Sequence, residues 1–138
     1  MSARRDGPLE VVRGIMEGSM IQRNQLRGDI SLRDAADWAN QQAKRLAANF
    51  GLDVVGDRDL FALAQTAKLS EEVGELHAEV LGAIGYCRTE KASSFTPGGL
   101  AGELADVMIC TLLLAEIFEV DLPEAVTAKI DHLRERPF

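Results

Sequence analysis

Apolar positions recur along this chain at helical steps of three and four, in four stretches separated by capping and turn residues. Leu32, Ala36, Ala39, Ala43, Leu46 and Phe50 follow such steps and predict a first firm helix. Ser31 and Asp34 resemble a capping box at its start, with Asp in place of the usual Glu, and Gly51 suits a C-terminal cap. A second helix is expected to start at Asp57 or Asp59 and to run to about Gly85. A third begins after Pro97-Gly98-Gly99 and ends near Glu119. In Asp121-Leu122-Pro123-Glu124, Asp121 serves as N-cap, Glu124 completes a capping box, and Pro123 is tolerated in the first turn of a fourth helix ending near Arg134. Strand-type alternation is scarce. The links are short except between Tyr86 and Gly99, so antiparallel packing in an all-α four-helix bundle is expected over residues 31–138.

Residues 1–30 read as an N-terminal arm. Leu9, Val12, Met16 and Met20 have helical spacing, and the polar segment from Gln22 to Asp29 resembles a linker. Two readings stand side by side: a partly helical or flexible terminus, and a helix that packs on a neighbouring subunit. The second helix is amphipathic on more than one side. At about 100° per residue, Leu69, Val73, Leu76, Val80 and Ile84 share one stripe, with Lys68, Glu72, Glu75 and Glu79 in a band beside it. Glu72 lies nearest the stripe and Glu71 roughly opposite. Leu60, Leu63, Ala67, Ala78 and Leu81 cover much of the remaining surface. Two apolar faces are more than a lone small bundle buries, which argues for oligomerisation.

Composition narrows the function classes. The 138 residues suit a single domain with a real core. Fifteen basic and 22 acidic residues give a net charge of -7, which argues against a nucleic-acid-binding surface without excluding a nucleotide substrate. The stretch from Leu104 to Phe118 is too short for a membrane span and carries Asp106 and Glu116, so no membrane association is expected. Met1 to Asp6 is polar and no uninterrupted apolar run follows. Cys87 and Cys110 form no close metal-binding pair. A reduced, cytoplasmic protein is the expectation.

The candidate chemistry lies in two acidic clusters set in apolar helix. Glu71-Glu72-Val73-Gly74-Glu75 is the first, and Glu103-Leu104-Ala105-Asp106 opens the apolar run that follows it. An unpaired buried carboxylate costs several kcal/mol, so something cationic should meet Glu103 and Asp106. Glu72 and Glu75 are three apart on one helix, and Glu103 and Asp106 repeat that spacing on the next. Antiparallel packing brings the pairs together in an all-oxygen site suited to Mg²⁺ or Mn²⁺. A solvated Glu-rich face competes with this reading, above all for Glu71 and Glu79. A di-iron bundle would need Glu-x-x-His pairs, but Gly74 and Lys129 stand three residues before His77 and His132. His77 therefore reads as a surface or interface residue. Zinc is disfavoured by the lack of His/Cys clustering, and the chain holds no GxxxxGK[ST] or GxGxxG loop.

Lys68-Leu69-Ser70-Glu71-Glu72-Val73-Gly74-Glu75-Leu76, followed by Gly102-Glu103-Leu104-Ala105-Asp106-Val107, resembles the MazG-type nucleoside triphosphate pyrophosphohydrolases of the all-α NTP pyrophosphatase superfamily. Their pattern is EExxE followed by ExxD, and it is complete here. The resemblance covers roughly residues 31–136. Lys129-Ile130-Asp131-His132-Leu133-Arg134 is similar to the family's closing basic helix but departs near Asp131, where an Asn is expected. The arm before Ser31 has no counterpart.

The resemblance implies Mg²⁺-dependent cleavage of a (deoxy)nucleoside triphosphate into monophosphate and pyrophosphate, as in sanitising a nucleotide pool. It implies that Glu72, Glu75, Glu103 and Asp106 hold metal, and that Glu71 holds a second metal or helps to activate water. It also implies a homodimer or homotetramer. Lys68, Arg88, Lys91, Lys129 and Arg134 are candidates to meet the phosphates, each with a solvated surface role as its competitor. Trp38 lies off the first helix's apolar seam and suits either base stacking or plain packing. The alternative from another class is a non-catalytic helical binding or scaffold protein that retains the fold.

Overall fold

The computed structural model describes residues 28–86 and 96–136. It holds four α-helices: α1 (Leu32–Asn49), α2 (Arg58–Ala83), α3 (Pro97–Ile117) and α4 (Leu122–Arg134). There is no strand among the described residues. None of these helices is long and apolar enough to cross a membrane. The spacing of Leu9, Val12, Met16 and Met20, and residues Arg88 and Lys91, fall outside the described residues.

Local chemistry sets each helix start. At α1 the expected capping box is present: the Ser31 hydroxyl accepts from the Asp34 N–H at 3.1 Å, and the Asp34 carboxylate accepts from the Ser31 N–H at 3.0 Å. Asp57 rather than Asp59 starts α2, because the Phe61 N–H donates to the Asp57 carbonyl at 3.0 Å. The third helix starts earlier than the sequence suggests. Thr96 caps it, its hydroxyl accepting from the Gly99 N–H at 3.0 Å, so Pro97, Gly98 and Gly99 form its first turn instead of preceding it. At α4, Asp121 accepts from the Glu124 N–H at 3.0 Å, which is the aspartate half of the expected box.

Three helices end on the same device. The Leu52, Tyr86 and Val120 N–H groups donate back to the carbonyls of Ala47, Leu81 and Ala115 at 2.8, 2.9 and 2.8 Å. This closure needs a left-handed residue just before the donor. Gly51 (φ 65°) and Gly85 (φ 74°) adopt that conformation freely, whereas Glu119 (φ 56°) holds it with a Cβ. A left-handed non-glycine residue costs about 1–2 kcal/mol, partly offset by the larger backbone entropy that glycine loses on folding. Glu119→Gly is therefore expected to raise stability by about 0.5–1 kcal/mol, read as an increased urea midpoint at unchanged m-value.

The chain divides into two compact units, one holding Glu72–Asp106 with residues 28–29, the other Ile30–Glu71 with Val107–Phe138. The core of the second is built on the alanine face of α1. Ala36, Ala39, Ala43 and Ala47 are buried with Phe61 and Ala62 of α2 and with Leu112, Leu113 and Ile117 of α3. Small residues on α1 let large ones from its neighbours fill the centre, and Phe61 and Leu112 are the largest side chains fully enclosed. Polar contacts fasten the rim. Arg33 grips Asp121 with two nitrogens at 2.9 and 3.0 Å, Asn40 donates to Glu116 at 2.8 Å, and Arg58 donates to the Ile117 carbonyl at 3.0 Å. The Arg58 guanidinium also lies 5.1 Å from the Phe118 ring centroid. Cys110 is buried and forms no disulfide. The other side of this part of α2 is uncovered, with Leu60 57% and Leu63 69% exposed, as expected of a helix with two apolar faces.

The first unit contains the rest of α2 and the start of α3. Its α2 stripe is not enclosed: Val73 is 48% and Val80 39% exposed, and Leu76, like Ile84 just past the helix end, is only partly buried. The most buried side chain described in this unit is a carboxylate, Glu72, at 6%.

Candidate metal centre

Three of the four carboxylates expected to hold metal converge within the Glu72–Asp106 unit. One ligand oxygen each from Glu72, Glu103 and Asp106 lies within 4.8 Å of the other two. Glu72 comes from α2, and the other two come from one side of α3, three residues apart. Glu75 stays exposed and outside this triad, but its charge reaches Glu103. The Glu103 carboxyl is held above its ordinary pKa of 4.5, first by burial and then by repulsion from Glu75, Glu72, Asp106 and Glu79. Its Oε2 atom is sealed from solvent and meets no hydrogen-bond donor.

The depth of these residues differs from the sequence reading. Asp106 is set in apolar sequence, yet it is exposed, Glu103 is partly buried and Glu72 is buried. The apolar neighbours of Asp106 do not enclose it, since Leu104 and Met108 are themselves 54% and 55% exposed. Apolar sequence around a residue reports burial only when those neighbours are covered.

Glu79, read from the sequence as equally suited to a solvated face, belongs with this cluster. Its Oε2 is also sealed without a donor, and a Cβ at Gly99 would stand 2.7 Å from that oxygen. The glycine in the first turn of α3 therefore makes room for a carboxylate. The signal was present in the sequence: Glu72, Glu75 and Glu79 follow helical steps of three and four.

The remaining expected site residues lie in the other unit. Glu71 is exposed and pairs with Lys68 at 3.3 Å. Lys129 is exposed on α4, and Arg134 pairs with Asp131 at 3.1 Å. Trp38 on α1 is 44% exposed, which leaves both base stacking and plain packing open to it.

The donor set fits a hard divalent cation. All ligand atoms are carboxylate oxygens, and Mg²⁺ takes oxygens at about 2.0–2.1 Å, so two ligands of one ion stand at most about 4.2 Å apart. The 4.8 Å spread is within a small side-chain adjustment of that limit. Without a cation the repulsion on Glu103 stands uncompensated. A group whose folded pKa is raised adds stability that is complete below its unfolded pKa and lost as pH rises through the folded value. For the metal-free chain, the Glu103 contribution should fall as pH rises above about 4.5. Urea midpoints measured in EDTA should accordingly move in favour of Glu103→Gln as pH is raised from 4 to 8. Parallel midpoint curves for the two proteins would contradict the repulsion. Asp34 and Asp121 carry the opposite sign, lowered mainly by bonds from Ser31 and from Arg33. Their contribution is present above the ordinary 3.8 and lost in acid.

No protein-family model, curated protein or solved structure matches this chain.

Proposed function

We propose that the chain is a Mg²⁺-dependent nucleoside triphosphate pyrophosphohydrolase of the MazG type, with Mn²⁺ as an alternative ion. The observation that carries this reading is the convergence of Glu72, Glu103 and Asp106, with a donorless, solvent-sealed oxygen on Glu103. Four carboxylates bear on Glu103 and none of them relieves it, which is the electrostatic setting a divalent ion stabilises. When bound, the ion would neutralise charge on phosphate oxygens and lower the pKa of an attacking water.

The chain's own residues supply the remainder. Glu72, Glu103 and Asp106 hold the ion, and Glu75 adds negative charge beside them. Glu71 accepts a proton from water or takes part in a second cation site. The bond cleaved joins the α- and β-phosphates, with water attacking the α-phosphorus, so the products are a nucleoside monophosphate and pyrophosphate. Lys68, Lys129 and Arg134 are the cations proposed to meet the phosphates, and Trp38 offers a face for the base. The uncovered apolar faces of α2 support assembly into a homodimer or homotetramer.

A pyrophosphate-release assay across ribo- and deoxynucleoside triphosphates tests the activity. Release with at least one base, abolished by EDTA and restored by Mg²⁺, is the expected result. Absence of release from every nucleotide would favour a binding or scaffold protein of the same fold.

A further inference from the structure

Two carboxylate oxygens of the Glu72–Asp106 unit, one on Glu103 and one on Glu79, are sealed from solvent and meet no hydrogen-bond donor. Glu103 belongs to the converging triad. Glu79 does not, and the function proposed above gives it no role. Glu79 follows Glu72 by seven residues on α2, and Gly99 precedes Asp106 by seven on α3. Seven residues are close to two helical turns, so Glu79 lies on the same side of α2 as Glu72, about 10 Å further along. Gly99 lies against it: a Cβ there would stand 2.7 Å from Glu79 Oε2 and 3.1 Å from its Cδ. No Cβ tolerates an atom so near, and the partner free to give way is the end of a glutamate side chain. Alanine at position 99 would push that carboxylate aside.

The charge of Glu79 reaches the triad, since it is among the four carboxylates that hold the Glu103 carboxyl above its ordinary value. Helix capping does not account for it. The hydroxyl that caps α3 belongs to Thr96, which accepts from the Gly99 N–H at 3.0 Å, and Glu79 Oε2 accepts from no N–H of that turn. Direct ligation does not account for it either, because Glu79 is not among the residues whose oxygens lie within 4.8 Å of one another. Its charge remains. The attraction between a carboxylate and a divalent cation falls only with the inverse of distance, and it strengthens where water is excluded.

We propose that Glu79 is an affinity-determining carboxylate for the divalent cation, acting through its charge from outside the ligand set, and that Gly99 is the residue that positions it. The assignment rests on the cation reading of Glu72, Glu103 and Asp106, and its test separates the two. Mg²⁺ is titrated calorimetrically into the metal-free wild type, Glu79→Gln, Gly99→Ala and the double variant, with helical circular dichroism as the check on folding. Saturable binding by the wild type, weakened about threefold or more in Glu79→Gln, is the expected result. Gly99→Ala should weaken binding to a similar extent, although alanine is the better helix former. The double variant should bind no more weakly than Glu79→Gln, because displacing a neutral amide removes no charge from the cation. A capping or packing role for Glu79 would leave the isotherm unmoved. Identical isotherms for wild type and Glu79→Gln would therefore overturn the proposal while leaving the cation site in place. Losses that add in the double variant would overturn the positioning role of Gly99. No saturable binding by the wild type would remove the cation site itself, and the role of Glu79 with it. If Gly99→Ala loses helical content, the comparison of wild type with Glu79→Gln still decides the role of Glu79.

Discussion

Glu72→Gln and Asp106→Asn are each expected to lower Mg²⁺-dependent hydrolysis by about a hundredfold or more, because each removes one of the three charged ligands that converge among the described residues. Glu72→Gln should be at least as damaging as Asp106→Asn, since Glu72 is the buried member. Glu71→Gln should weaken metal binding less than Glu72→Gln, since Glu71 is exposed and already engaged with Lys68. Equal losses for Glu71→Gln and Glu72→Gln would mean that the outward face of Glu71 is covered by another helix or subunit. Removing a charge beside Glu103 should also stabilise the metal-free protein, so the two ligand variants should unfold at higher urea in EDTA than the wild type. Unchanged helical circular dichroism is the control that separates loss of the site from loss of the fold. Wild-type turnover in either ligand variant would remove that residue from the site.

The largest loss of stability is expected from Phe61→Ala. Phe61 is fully enclosed by the alanine face of α1 and by Leu112, Leu113 and Ile117 of α3. Truncation removes the ring's transfer free energy and leaves a cavity that rigid helices fill poorly, at a cost of about 3–5 kcal/mol. That is a large fraction of the roughly 5–15 kcal/mol of a typical domain. A chemical denaturation series should show the urea midpoint falling sharply at unchanged m-value. Leu63→Ala, on the uncovered side of the same helix, should change the midpoint little in a single chain, since Leu63 is 69% exposed. A large loss there would reveal that the face is buried in an assembly.

Much of the fold was legible because it is encoded locally. The steps from Leu32 to Phe50, the Ser31–Asp34 box and the Asp121 cap each state their own helix, and the structure returns them within a residue or two. The start of α3 was misplaced because a Gly-Gly pair signals a turn more strongly than Thr96-Pro97 signals a cap, although both belong to one N-terminus. The end of α3 near Glu119 was legible, but not its closure, because Glu119 occupies a conformation that sequence reasoning assigns to glycine.

The cluster itself was legible as two i, i+3 carboxylate pairs, and three of the four expected ligands meet. Their depth was not legible, because burial of Glu72 and exposure of Asp106 depend on which neighbouring faces are covered. Glu79 escaped a firm assignment for a related reason. Only the packing of its carboxylate against Gly99 distinguishes it from a solvated glutamate.

The account rests on Glu72, Glu103 and Asp106 acting together as one divalent-cation site. Calorimetric titration of Mg²⁺ into the metal-free full chain, alongside Glu103→Gln, measures that directly. Saturable binding by the wild type, weakened at least tenfold in Glu103→Gln, is the predicted result. No saturable binding, or identical isotherms for the two proteins, would contradict it.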